Sequence, residues 1–445
     1  MTAPRFLSSF PLQLETPSAA TRAVRAGLAS DTQHGAVVPP IHLSSNFTFA
    51  GLGEMRRYDY TRSGNPTRDL LAEALADLEG GTRAVVTSTG MSAVHLALQL
   101  LEPGDLLIAP FDCYGGTYRL ISALARRGAF EARFVDLSNA LERDAALETR
   151  PKLIWVETPS NPLLRITDLR EVVRAARGVG ALVAVDNTFL SPALQNPLAL
   201  GADLVVHSTT KYLNGHSDVV GGALITADDA LGERLAWWAN CLGITGAPFD
   251  SYLTLRGLRT LHARWRVHLE NATALVATLA AHPAVERVFY PGLATHPGHT
   301  IAVAQQRGHG AMISFELAGG TPAVEAFLDG LELFSLAESL GGVESLVAHP
   351  ATMTHAAMDS EARLRAGIGD GLLRLSVGIE ASEDLERDLL AGLERAAAVC
   401  SRLRPVATVL DEKSLDENGF FFGASPTENS GLTRPTSGCI LTLER

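Results

Sequence analysis

Short apolar runs alternate with helical patterns through the first half of the chain, and this alternation restricts the fold more than any other feature. The runs lie at 84–87, 106–109, 133–136, 153–157, 182–186 and 204–207, and most of them are almost continuously apolar. Strands that are buried on both faces of a sheet have this character. Helical patterns lie between them at 92–101, 117–127, 168–179 and 192–200. The alternation predicts an α/β fold around a mostly parallel sheet with right-handed crossovers.

The second half of the chain has fewer strand patterns. Long helices are predicted at 66–79, which has a proline at its start, and at 250–281. Farther along, strands at 311–315 and 372–377 and a helix at 383–401 predict a smaller α+β region. From about 404 the chain is rich in Ser, Thr, Pro, Gly and Asn. This composition is typical of a disordered tail.

Composition and charge argue against several classes of partner. The chain has 37 basic and 49 acidic residues and a net charge of −12, whereas nucleic acids and anionic membranes attract basic surfaces. No apolar run reaches the roughly 18 residues that a membrane span needs, and 1–20 contains no secretory signal pattern. The four cysteines are far apart and form no CxxC pair, which favours a reducing compartment. We expect a cytoplasmic protein that binds neither nucleic acid nor membrane.

The chain has only three lysines, Lys152, Lys211 and Lys413. Lys211 follows the apolar run 204–207, in the segment HSTTKYLNGHSDVVGG. Ligands of α/β sheets bind at the carboxyl ends of strands, and a lysine there can form a Schiff base with an aldehyde cofactor. A solvated surface charge is the alternative for this residue.

Two further segments suit such a cofactor. Asp186 ends the run 182–186, where an acid could keep the ring nitrogen of pyridoxal phosphate protonated; a turn carboxylate is the common alternative. The segment STGMSAVH, 88–95, lies between a strand and a helix. Its glycine and the helix N-terminus could bind phosphate. The alternative is an ordinary turn between a strand and a helix.

An aromatic and a basic residue complete the candidate site. Tyr114 precedes two glycines after a strand, so its ring could stack on a planar cofactor or pack in the core. Arg374 lies inside an apolar strand pattern. A buried arginine needs a partner, which a substrate carboxylate or a structural salt bridge would provide. Together the residues describe a lysine-aldehyde site for an amino-acid substrate.

These residues occur in segments that resemble a known family. The matching segments are YDYTRSGNPTRD (58–69), TGMSA (89–93), DCYGGTYRL (112–120), ETPSNPLL (157–164), VDNTFLSPALQNPL (185–198), HSTTKYLNGHSDVVGG (207–222), AESLGGVESL (337–346) and LRLSVGIE (373–380). They are similar, in order, to segments of the transsulfuration enzymes related to cystathionine γ-synthase and γ-lyase. The resemblance spans about 21–402. It implies a pyridoxal-phosphate enzyme of the aspartate aminotransferase-like fold, fold type I, with a seven-stranded, mostly parallel sheet.

The resemblance also implies a role for each matching residue. Lys211 would carry the cofactor and move protons, Asp186 would pair with the ring nitrogen, and Tyr114 would stack on the ring. The expected phosphate ligands are Gly90, Met91, Ser208 and Thr210, joined by Tyr60 and Arg62 of the neighbouring subunit. Arg374 would hold the substrate carboxylate, and the other expected substrate contacts are Asn161, Ser339, Glu338 and Arg119. The two histidines of HPGH (296–299) lie in a predicted loop, so no metal site is expected.

The same resemblance divides the chain into four parts and implies an assembly. Residues 1–65 would form an arm that reaches the neighbouring subunit's site. Residues 66–281 would form the large cofactor domain, 282–403 the C-terminal α+β domain and 404–445 a disordered tail. Family members are commonly homotetramers built as dimers of dimers, so each active site would be shared between subunits.

The implied activity is a γ-replacement. Glu338 resembles members that act at the γ-carbon, since β-lyases typically have an aromatic residue there. The stretches 185–222, 235–261 and 337–356 are most similar to bacterial γ-synthases. We therefore expect an O-acylhomoserine, with O-succinylhomoserine favoured, to react with cysteine and give cystathionine. The alternatives are a cystathionine γ-lyase, an O-acylhomoserine sulfhydrylase and a non-catalytic scaffold of the same fold.

Overall fold

The computed structural model describes residues 16–356, 363 and 366–403. The chain divides into two units, Met1–Leu403 and Arg404–Arg445. The second unit, for which the sequence predicts a disordered tail, lies outside the described residues.

A seven-stranded sheet forms the centre of the larger part of this unit. Its strands are β1 (Arg83–Thr87), β2 (Leu106–Pro110), β3 (Glu131–Val135), β4 (Leu153–Glu157), β5 (Leu182–Asp186), β6 (Leu204–Ser208) and β7 (Gly222–Thr226). They are arranged in the order β1-β7-β6-β5-β4-β2-β3. The pairs from β6 to β3 are all parallel, which confirms the predicted mostly parallel sheet. β7, which no apolar run predicted, is antiparallel to both of its neighbours.

Helices cover both faces of this sheet. They are α1 (Ala19–Arg25), α2 (Pro66–Glu79), α3 (Gly90–Leu98), α4 (Gly115–Arg126), α5 (Ala140–Leu147), α6 (Leu169–Val179), α7 (Ser191–Leu194), α8 (Asp229–Leu242), α9 (Pro248–Leu258) and α10 (Leu261–Ala281). The predicted helix 250–281 is wrong as a single element, because it is interrupted between α9 and α10. The predicted helix 192–200 is also shorter, consisting of α7 and a 3-10 turn at Leu198–Leu200.

Local signals explain why α2 lies where the sequence predicts it. The Asn65 side chain accepts hydrogen bonds from the amides of Thr67 and Arg68 at the start of the helix. Pro66 occupies the first helical turn, and Gly80 ends the helix in the left-handed conformation with φ 79°. Both ends of this helix are therefore encoded by neighbouring residues.

The remaining part of the unit contains a five-stranded sheet. Its strands are β8 (Val285–Phe289), β9 (Met312–Leu317), β10 (Ser335–Leu336), β11 (Leu346–Ala348) and β12 (Leu372–Ser376), in the order β10-β11-β12-β9-β8. Three helices accompany it, α11 (His299–Gln305), α12 (Gly320–Leu328) and α13 (Ser382–Leu403). This is the expected α+β region, and its boundary at 281/282 stays a prediction. Of all the helices described, none is both long and apolar enough to cross a membrane.

Candidate active site

A cavity of about 560 Å³ opens at the carboxyl ends of β4, β5 and β6. Its volume is typical of small-molecule sites. Most of the predicted site residues line it, namely Gly90, Met91, Tyr114, Arg119, Asn161, Asp186, Ser208, Thr210, Lys211, Glu338, Ser339 and Arg374. Tyr60 and Arg62 do not line this cavity. The fold thus brings together residues that lie far apart in the chain.

Lys211 lies in the turn that follows β6, with its ammonium group directed into the cavity. Its Nζ donates a hydrogen bond to Ser339 Oγ at 2.7 Å. Burial and, to a smaller extent, the positive charge of Arg374 lower the pKa of Lys211 to about 8, and the negative charge of Glu338 opposes them. A neutral amine is the nucleophilic form of lysine. Lys211 is therefore prepared to react with an aldehyde near neutral pH.

This lowered pKa predicts how cofactor capture depends on pH. Only the neutral amine reacts, so the rate at which cofactor-free protein attaches pyridoxal phosphate covalently should rise with pH and level off above about 8. The measurement is stopped-flow absorbance across a pH series. The Glu338→Gln variant should reach its plateau at lower pH, because Glu338 favours the charged lysine. A rate that still climbs toward the ordinary lysine pKa, 10.5, would contradict the prediction.

Asp186 ends β5 and faces the cavity without a cation. Burial raises the pKa of Asp186, while hydrogen bonds from Thr188 and the charge of His207 lower it. The Thr188 amide donates to Asp186 Oδ1 at 3.0 Å. Within the described residues, Asp186 forms no ion pair with a basic side chain. A half-buried carboxylate in this position suits a cationic partner such as a protonated ring nitrogen.

A cradle for phosphate lies at the start of α3. Thr89 caps the helix by accepting from the Ser92 amide at 2.9 Å, and the first amides of any helix have no intrahelical acceptor. At Gly90, a Cβ would lie 2.7 Å from Ser208 Cβ, so only glycine permits this close approach. Gly90, Met91, Ser208 and Thr210 all line the cavity, and the Thr210 hydroxyl also bonds the Gly221 backbone. The arrangement fits a phosphate group.

Arg374 lies on β12 and is only 2% exposed. Its Nη1 donates to Asn161 Oδ1 at 2.7 Å, and its Nη2 donates to the Ser339 carbonyl at 3.0 Å. Its Nε has no hydrogen-bond partner, and no carboxylate of the described residues forms an ion pair with it. The structural salt bridge that the sequence left open is therefore absent from the described part of the chain. The guanidinium is free to bind a carboxylate.

The rim of the cavity carries one aromatic and two charged residues. Tyr114 is 42% exposed and its ring lies over the first turn of α4, since a Cβ at Gly116 would be 2.5 Å from that ring. The alternative of a core tyrosine is therefore wrong. Arg119 and Glu338 are exposed, and neither forms an ion pair with a described residue.

Tyr60 and Arg62 lie on the segment before α2. Arg62 Nη1 donates to the carbonyl and to the side-chain oxygen of Asn240, at 2.9 and 2.8 Å. Tyr60 is 48% exposed. Their position outside the cavity of their own chain leaves them accessible to a second molecule.

Two buried ionisable residues of the cavity were not predicted from the sequence. Glu157 lines the cavity and accepts a hydrogen bond from the Tyr114 amide through Oε2 at 2.8 Å. It ends an apolar run as Asp186 does, and this signal could have identified it. His355 also lines the cavity and is 2% exposed, but no local pattern singles it out.

The described residues of this site offer neither a reactive cysteine nor a group of metal ligands. Cys113 is buried, and burial raises the pKa of its thiol, so the reactive thiolate is disfavoured. Among the residues that the structure describes, no three His, Cys, Asp or Glu side chains are grouped to hold a metal ion.

Comparisons with known proteins agree with the geometry. The family described as Cys/Met metabolism PLP-dependent enzyme matches residues 20–394. Cystathionine gamma-synthase of Escherichia coli (strain K12) is 58% identical over 382 residues, 86% of this chain and 99% of the relative. Cystathionine beta-lyase of Lactococcus lactis subsp. cremoris is 46% identical over 375 residues, 84% of this chain and 98% of the relative.

A solved structure shares the fold closely. Cystathionine gamma synthase from Xanthomonas oryzae pv. oryzae, in complex with cystathionine, is 65% identical. The match has a TM-score of 0.86 and covers 86% of this chain and 100% of that chain. The predicted fold type and pyridoxal-phosphate cofactor are thereby confirmed, and the chain belongs to the Cys/Met metabolism PLP-dependent enzymes.

Proposed function

We propose that this chain is a cystathionine γ-synthase that joins an O-acylhomoserine and L-cysteine to give L-cystathionine and the free acyl acid. O-succinylhomoserine is the favoured donor. The observation that carries the proposal is that the cavity has two guanidinium groups that form no ion pair with a described residue. They belong to Arg374 inside the cavity and Arg119 at its rim. A substrate with carboxylates at both ends, such as an O-succinylhomoserine, would meet one arginine at each end. The names and identities of the related γ-synthases support this choice.

The cofactor would be held by groups at or just after the ends of four strands, β1, β2, β5 and β6. Lys211 would hold its aldehyde, Asp186 its ring nitrogen and Tyr114 its ring face. Its phosphate would lie in the cradle formed by Gly90, Met91, Ser208 and Thr210. When bound, pyridoxal phosphate supplies an electron-withdrawing ring that stabilises negative charge on the substrate Cα.

Lys211 would be the residue that moves protons. The low pKa of its amine, about 8, makes it a base near neutral pH. It would take the proton from Cα of the substrate and hand it to the former aldehyde carbon of the cofactor, which makes the amine neutral again. It would then take a proton from Cβ, so that the acyl group can leave Cγ as a carboxylate. Ser339, which accepts its hydrogen bond, would keep the amine directed at these carbons. The cysteine thiol would then add at Cγ, and the protons would return to Cβ and Cα.

Arg374 and Asn161 would fix the substrate for these transfers. The Asn161 amide oxygen accepts from Arg374 and orients its guanidinium. The α-carboxylate of the amino acid would bind the free edge of that group, with its Cα near Lys211. Glu338 would face the amino group of incoming cysteine at the rim, where it is exposed.

A cystathionine γ-lyase would use the same residues, so a paired assay separates the two functions. One arm supplies O-succinylhomoserine and cysteine and measures cystathionine, and the other supplies cystathionine and measures 2-oxobutanoate. The proposal expects faster formation than cleavage. Faster cleavage would make the protein a γ-lyase. Faster reaction with sulfide than with cysteine would make it a sulfhydrylase. Protein that is inactive in every arm would be a non-catalytic scaffold. The Arg119→Ala variant should lose more activity with O-succinylhomoserine than with O-acetylhomoserine.

We also propose that the active enzyme is a cytoplasmic homotetramer, a dimer of dimers with shared sites. The segment before α2 supports this, because several of its apolar residues are exposed. They include Val37 at 70%, Leu43 at 69%, Leu52 at 107% and Met55 at 59%. Exposed apolar residues that are close in sequence are typical of interaction surfaces. Tyr60 and Arg62, on the same segment, would reach the phosphate in the neighbouring subunit.

A complementation experiment tests the shared site. Lys211→Ala and Arg62→Ala chains, each of low activity alone, are mixed after reversible dissociation. If Arg62 acts in the neighbouring site, each mixed dimer contains one intact site, and random pairing should restore about a quarter of wild-type activity. If Arg62 acts within its own chain, no site is intact and activity stays low. A chain with both substitutions, mixed with Lys211→Ala, is the control.

A further inference from the structure

Glu157 is a buried carboxyl group whose position in the fold suits it to act on Asp186. It ends β4, and Asp186 ends β5 directly opposite in the parallel register. Neighbouring strands are about 4.8 Å apart, so the two side chains leave the sheet side by side on the same face. Both line the cavity. Glu157 is 6% exposed, and among the described residues neither carboxyl forms an ion pair with a basic side chain.

The groups around this pair are acids and neutral hydrogen-bond donors, with His207 as the one basic side chain among those that act on it. Those that act on the two carboxyls are Asp112 and Cys113 after β2, the Tyr114 amide at α4, the Asn161 backbone after β4, Thr188 after β5 and His207 on β6. Arg165 neutralises Asp112, at 2.9 Å, and does not pair with Glu157. Burial raises the pKa of Glu157 well above its ordinary value, the charge of Asp186 raises it further, and the Tyr114 amide opposes both. Two adjacent buried carboxyls without a cation retain a proton between them.

The geometry also indicates which carboxyl holds that proton. Asp186 accepts from the Thr188 amide and lies near His207, and both favour its ionised form. It is also the less enclosed of the two, because it faces the open cavity. Glu157 is more buried than Asp186, and only its Oε2 accepts the hydrogen bond from the Tyr114 amide, at 2.8 Å. A protonated carboxyl keeps that acceptor, because its carbonyl oxygen remains available.

We propose that Glu157 is a positioning residue that stays protonated beside Asp186, so that only Asp186 presents a negative charge to the cofactor ring. The carbonyl oxygen of Glu157 accepts the hydrogen bond from the Tyr114 amide. The carboxyl thereby fixes two cofactor contacts at once, the charge opposite the ring nitrogen and the backbone that carries the stacking tyrosine. The inference rests on the proposed placement of the ring beside Asp186 and not on which substrate reacts.

The test combines infrared spectroscopy with cofactor binding. Cofactor-free wild-type protein at pH 7 should show the carbonyl stretch of a protonated carboxylic acid, and the band should disappear in Glu157→Gln. In Asp186→Asn the same band should titrate away at lower pH, because the neighbouring negative charge is gone. These measurements need no cofactor or activity, so they are independent of the proposed function.

Cofactor affinity supplies the second measurement. Glu157→Gln is neutral and keeps an acceptor for the Tyr114 amide, so its dissociation constant for pyridoxal phosphate should stay within about threefold of wild type. Glu157→Ala leaves that amide unpaired and should weaken binding roughly tenfold or more. Absence of the band from wild-type protein would overturn the proposal. Equal weakening by glutamine and alanine would also overturn it, because a charged Glu157 would then be required. If the glutamine variant fails to fold, the band in wild type and its shift in Asp186→Asn still decide.

Discussion

Replacing Lys211 by alanine is expected to lower kcat by at least roughly 10²–10⁴-fold, the usual contribution of a positioned acid or base. The loss should be large because one amine, with its pKa lowered to about 8, is proposed both to hold the cofactor and to move the protons. Borohydride treatment of the wild-type enzyme should fix the cofactor to the peptide that contains residue 211. The variant should show no such attachment. Steady-state kinetics and peptide mass spectrometry measure the two effects.

The matched control for this experiment is Lys152→Ala. Lys152 is an exposed lysine that does not line the cavity, so its variant should retain wild-type turnover and cofactor attachment. Thermal unfolding should show that both variants are folded. Turnover by Lys211→Ala at the wild-type rate, or cofactor attached to another residue, would remove Lys211 from the proposed role.

Replacing Arg374 by lysine is expected to raise KM for the amino-acid substrate roughly 10- to 150-fold, because a hydrogen bond to a charged group contributes about 1.5–3 kcal/mol. Lysine keeps the positive charge but loses the planar fork that binds a carboxylate in two-point contact. The Asn161 oxygen and the Ser339 carbonyl would also lose one of their donors. Steady-state kinetics at saturating cysteine measure the effect, with kcat expected to change less than KM.

Arg266→Lys provides the control, since Arg266 is an exposed arginine on α10 away from the cavity. Its kinetics should match those of wild type. Arg374→Lys should still bind pyridoxal phosphate, because Arg374 is assigned to the substrate and not to the cofactor. An unchanged KM, or a loss of cofactor with an unchanged KM, would assign the carboxylate clamp to another residue.

Elements with local signals were predictable from the sequence. Helix α2 lies where the pattern placed it, because Asn65, Pro66 and Gly80 define its ends. β4 and β5 also match, since a strand buried on both faces is apolar at nearly every position. The break after α9 was missed, and near it the helix meets a segment that is distant in sequence. At Gly257 a Cβ would lie 2.0 Å from the Asn214 carbonyl oxygen, so the backbone of another segment packs against this helix.

In the site too, local sequence patterns predicted some features and only the tertiary structure decided others. The sequence by itself determined the parallel sheet and placed Asp186 at the end of one strand and Lys211 just after another, because these features follow from local apolar patterns and from segments that resemble a family. Only the tertiary structure decided that Arg374 meets Asn161, 213 residues away, and that Lys211 meets Ser339, 128 residues away. It also decided the lowered pKa of Lys211 and the raised pKa of Glu157. Proton affinity depends on burial and on charges that other segments bring near, and no local pattern specifies these distances.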